Sequence, residues 1–91
     1  MAITVVFTVP DMSAPQYEGI IRDLTAKGQG APDGRLYHVA SRDGAGFLVV
    51  DVWESEEKLG RFADLLMPIV AQNGVTPPQP RVYPAHNVIE G

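Results

Sequence analysis

The stretch LYHVASRDGAGFLVVDVW, residues 36–53, decides the fold. Two runs rich in β-branched and aromatic residues flank Asp43-Gly44-Ala45-Gly46, a turn composition. They predict a hairpin with strands over about 35–42 and 46–53. Side chains alternate across a strand. With a two- or four-residue turn, Leu36, His38 and Ala40 share a face with Phe47, Val49, Asp51 and Trp53. The other face carries Tyr37, Val39, Leu48, Val50 and Val52. A three-residue loop would reverse that parity. Both faces are largely apolar, yet His38 and Asp51, two ionisable groups, sit inside the two runs. A turn centred on Gly44-Ala45 makes these two direct cross-strand neighbours.

Outward from the hairpin, Ile3 to Val9 reads as a first strand that Pro10 ends. Ser13 offers an N-cap oxygen and Pro15 stands where its missing N–H costs little. Tyr17, Ile20, Ile21 and Leu24 follow at helical spacing, and Lys27-Gly28 closes that helix. Residues 28–34, GQGAPDG, are loop by composition. Beyond the hairpin, Ser55 caps a second helix whose first turn carries Glu56 and Glu57, suited to the positive end of its dipole. Leu59, Phe62, Ala63, Leu66 and Val70 form its apolar face. Pro68 is expected to kink this helix or end it early, and Asn73-Gly74 closes it. The extended TPPQP, residues 76–80, leads to a short edge strand over Arg81 to Tyr83 with Pro84 at its end. The order β-α-β-β-α-β is the ferredoxin-like α+β arrangement: one domain over 1–91, a four-stranded antiparallel sheet with two helices on one face.

Two helices on one side cover one face of the sheet and leave the other wet. Burying about five such side chains is worth several kcal/mol at about 25 cal/mol per Å², and leaving them exposed invites association. The simplest cover is a second copy packed sheet to sheet through the Val/Leu/Tyr face, so a homodimer is expected. His38, Asp51 and Trp53 then look toward the helices, where polar groups must be satisfied by one another or by something in a pocket.

The totals bound the function. Ninety-one residues, 45% hydrophobic and 20% charged, make one globular domain, and a net charge of −4 with scattered Lys and Arg points away from nucleic acid. There is no cysteine, which excludes disulfides, thiolate metal sites and cysteine nucleophiles. MAITVVFTVPDM has no positive n-region and only a short, Thr-interrupted apolar run, so neither a signal peptide nor a membrane span is expected. A cytoplasmic protein is the default. His38 and His86 are the only histidines, and no carboxylate spacing makes a metal triad. The glycines at 28, 30 and 34 precede a strand rather than a helix, so they make no phosphate cradle. No cofactor is expected.

VVDVWESEEKLGRF, residues 49–62, resembles the antibiotic biosynthesis monooxygenase-like branch of the dimeric α/β-barrel proteins: a strand ending in Trp, a Ser/Glu-rich helix start, and a Phe about nine residues on. Gly34 to His38 is similar to that family's entry to its second strand, and the resemblance spans the chain in order and length. It implies a dimer whose two sheets form a barrel, with a pocket in each subunit between sheet and helices. Family members include cofactor-independent oxygenases of aromatic polyketides, haem degraders, isomerases and cyclases. The haem degraders carry a His on the second helix, and residues 55–73 contain none. The oxygenases tend to carry an Asn on the first strand, where this chain has only Thr4 and Thr8 as polar residues. Trp53 matches the family's pocket Trp by position. The functional expectation is an acid/base pair acting on a hydrophobic aromatic or polyketide-like compound. In it His38 moves the proton, Asp51 orients it, Trp53 stacks on the ligand, and Tyr17, Phe62 and Leu66 line the helix side. The alternative is a non-catalytic dimeric binding or scaffold protein, with His38 and Asp51 a purely structural pair.

Overall fold

The computed structural model describes residues 1–91. The elements are β1 (Ile3–Val9), α1 (Ala14–Ala26), β2 (Arg35–Asp43), β3 (Gly46–Trp53), α2 (Glu56–Gln72) and β4 (Arg81–Pro84). All strand pairs are antiparallel and the sheet order is β2-β3-β1-β4, the ferredoxin-like layout. Alternation along β1 and β3 sorts the side chains cleanly. Ile3, Val5, Phe7 and Val9 are buried with Phe47, Val49, Asp51 and Trp53, while the residues between them are half-buried or exposed. Ile20, Leu24, Phe62, Ile69 and Val70 come down from the helices to complete one core on that face.

Local chemistry fixes the helix ends. Ser13 Oγ accepts from the Gln16 amide and Gln16 Oε1 accepts from the Ser13 amide, a reciprocal capping box. Ser55 Oγ accepts from the Lys58 amide in the same way. Pro68 does not end α2, which runs on to Gln72. Pro68 and Asp64 both lie on the exposed face, so the Asp64 carbonyl that loses its helical donor is left to water rather than to the core. Gly46 packs its α-carbon against the Val9 and Pro10 backbone, a fit only a residue without Cβ allows, and this pins β3 against the end of β1.

The hairpin turns at Gly44-Ala45, with Asp43 paired to Gly46 and His38 paired to Asp51. Two adjacent residues depart from the expected alternation. The register slips between Arg35 and Tyr37, so that Arg35 pairs with Trp53 and Leu36 is left without a partner, 46% exposed. The sequence placed Leu36 on the inner face; the β-bulge expels it and turns Arg35 inward instead.

The outer face matches its composition. Val39 is 55% exposed, Tyr83 48% and Tyr37 36%, in rows with the half-buried Val50, Val52 and Val6. No helix of the chain is long and apolar enough to cross a membrane.

Candidate functional site

His38 and Asp51 meet across the hairpin. The His38 Nδ1 to Asp51 Oδ1 distance is 2.6 Å, with the carboxylate nearly buried and 22% of the imidazole exposed. A carboxylate oxygen accepts, so Nδ1 carries the proton and Nε2 of the neutral ring offers a lone pair. Tyr17 takes that position from α1: its Oη lies 2.8 Å from Nε2, and the two rings are parallel to within 2°. On the far side of the carboxylate, Trp53 Nε1 donates to Asp51 Oδ2 at 3.3 Å. Four side chains from three elements thus form one hydrogen-bonded chain, Tyr17–His38–Asp51–Trp53. No buried side-chain polar atom is left without a partner.

Three members of that chain open onto a cleft between the sheet and the helices. The cleft has a cavity volume of about 70 Å³ and is open to solvent, and 13 of its 17 lining residues are hydrophobic. Tyr17, His38, Asp51, Phe62 and Leu66 all line it. Trp53 does not. It is fully buried behind Asp51, with its ring against Phe62 at 5.2 Å, so it holds the carboxylate rather than presenting a stacking surface. Strand alternation gives the face a residue points to but not the depth at which a helix covers it. Arg35, which no motif or periodicity marks as a site residue, also lines the cleft. Its only local signal is Gly34 before it, with φ of +91° marking an abrupt entry to the strand. No group of three His, Asp, Glu or Cys side chains is placed to hold a metal.

Burial pushes the Tyr17 phenol above its ordinary value of 10.0, and Glu18 adds to the rise; Arg35 opposes it and Asp51 reinforces it. Tyr17 is therefore a neutral O–H at physiological pH, a donor to Nε2 rather than a phenolate. In a spectrophotometric titration Tyr17 is expected to ionise above 10.0, and Tyr17→Phe to remove a late-ionising phenol. Tyr37 is likewise raised, by burial and then by Glu90. A titration that Tyr17→Phe leaves unchanged above 10.0 would contradict this. The folded state holds the Tyr17 proton more tightly than the unfolded chain. The associated stability is complete below pH 10.0 and is lost as pH rises through the folded value.

No protein-family model and no curated protein matches the chain. Solved structures do. A protein from Chloroflexus aurantiacus, provisionally named an antibiotic biosynthesis monooxygenase, superposes with a TM-score of 0.66 at 13% identity over 100% of both chains. A conserved protein from Methanosarcina mazei gives 0.65 at 12% identity over 91% of both. SnoaB, a cofactor-independent oxygenase from Streptomyces nogalater, gives 0.62 at 14% identity over 99% of this chain and 96% of its own. At such identities the likeness establishes the fold: the ferredoxin-like α+β fold of the antibiotic biosynthesis monooxygenase-like structures.

Proposed function

We propose that the protein is a cofactor-independent enzyme acting on a hydrophobic, aromatic or polyketide-like small molecule, working as a homodimer. The observation that carries this reading is the Tyr17–His38–Asp51 chain opening into an apolar cleft. An acidic O–H or C–H of the substrate gives its proton to Tyr17 Oη while the phenol passes its own to His38 Nε2. Asp51, with its second oxygen held by Trp53, stabilises the imidazolium that forms. The electron-rich enolate or phenolate left behind then reacts with dioxygen, or is reprotonated elsewhere in an isomerisation or cyclisation. The likeness to SnoaB, itself an oxygenase, favours the first outcome. The second copy covers the apolar outer face of the sheet, which no element of this chain covers.

One observation favours a second reading. Tyr17 already satisfies His38 Nε2, so the chain of bonds is complete without a ligand and serves equally well as a structural brace in a binding or scaffold protein. A panel of polycyclic phenols and enols separates the two, with product mass and dioxygen uptake as readouts beside NMR shifts of the cleft residues. Binding with conversion supports the enzyme. Binding without conversion of any member supports the second reading, and no shift in the cleft removes both.

A further inference from the structure

We infer that the cleft selects ligands that carry an anionic group on an apolar body, and that Arg35 is the residue that reads the anion. The inference rests on the reading of the cleft as a small-molecule site. It begins with a local exchange that folding alone does not favour. Without the register slip, Leu36 would oppose Trp53 and point inward. With it, a leucine is left 46% exposed and an arginine is turned toward a mostly hydrophobic cleft. In the single chain, exposing an apolar side chain and partly desolvating a cation both cost free energy, and a second copy over the outer face would relieve only the first. Bulges that re-aim a side chain occur beside functional sites, where such costs are retained for the chemistry they serve.

The guanidinium is also unspent. Arg35 makes no ion pair; its one hydrogen bond goes from Nη2 to the Gly30 carbonyl at 3.0 Å, which tethers the head to the loop before β2. The neighbouring Asp33 is engaged with Lys58 instead. The only carboxylate lining the cleft is Asp51, and both its oxygens are taken, by His38 and Trp53. Arg35 thus keeps most of its planar donor fork for a group that is not part of the chain, and that fork matches a carboxylate or an oxyanion. It is the only cation lining the cleft, on a chain whose net charge is −4, so the preference is local to this site.

The test compares naphthoate with naphthalenemethanol, ligands of nearly equal shape of which the first is anionic and the second neutral, titrated against the full chain and followed by NMR shifts of the cleft residues. Naphthoate is expected to bind about 10- to 100-fold more tightly than the alcohol, the scale of a charge-assisted hydrogen bond. Arg35→Gln should erase that preference, bringing naphthoate's affinity down to that of the alcohol, and Arg35→Lys should restore part of it. No preference for the acid in the unaltered protein, or a preference that survives Arg35→Gln, overturns the assignment and leaves the cleft reading intact. If neither compound shifts a cleft resonance, the cleft reading falls and takes this inference with it.

Discussion

His38→Ala is expected to lower turnover by about 100- to 10,000-fold, the usual loss on removing a general acid/base. The fold should survive, because the imidazole is 22% exposed and water can enter to take over its bond to Asp51. Asp51→Asn divides the cost differently. The imidazole stays in place, so activity falls less. However, the buried carboxylate receives donors from both His38 and Trp53, and an amide offers only one acceptor oxygen. One donor then faces another, and the melting temperature should fall further in Asp51→Asn than in His38→Ala. Thermal melts beside turnover and ligand titration decide the matter. Unchanged binding and conversion in His38→Ala, together with a clear loss of stability, would sink the catalytic assignment and leave the brace.

Val50→Asp should separate the subunits. Val50 lies in the middle of the outer face, paired with Val6 on one side and Val39 on the other. In a two-fold dimer each substitution appears twice, so two carboxylates would be buried unpaired in one interface. Leaving a buried charge unpaired costs about 3–5 kcal/mol, enough for at least about a 100-fold weaker association. Val39→Asp is the companion variant. Its position is 55% exposed on the edge strand of the single chain, so the charge is compatible with a folded monomer. Light scattering should give a dimer mass for the parent protein at micromolar concentration and a monomer mass for Val39→Asp. A monomer mass for the parent would remove the barrel.

Much of the architecture is legible in the residues because its signals are local. Ser13 and Ser55 announce helix starts, Asp43 to Gly46 announces a tight hairpin, and period-two alternation separates the two faces of β3. The cross-strand meeting of His38 and Asp51 follows from the turn once the turn is centred. What escaped depends on interactions between elements. The single-residue slip at Leu36 has no compositional mark strong enough to predict it, and it exchanges the inward roles of two adjacent side chains. The contact of Tyr17 with Nε2 requires the approach of α1 to β2, which periodicity within α1 does not specify. The depth of Trp53 depends on where Phe62 sits on α2. Pro68 left a kink or an early end open, and α2 runs on to Gln72, since the effect of a proline on a helix depends on whether the carbonyl it orphans can reach water.

Trp53 has a further consequence, for spectroscopy. It is the only tryptophan in the chain, fully buried, and its indole N–H donates to the carboxylate that holds His38. All indole emission therefore comes from one place, shielded from quenchers in solvent and one hydrogen bond from the ionisable pair. A change in the charge of Asp51 or in the protonation of the imidazole alters the electric field across that single fluorophore. The protein carries its own optical gauge of the state of the site, with no label to introduce and no second tryptophan to subtract.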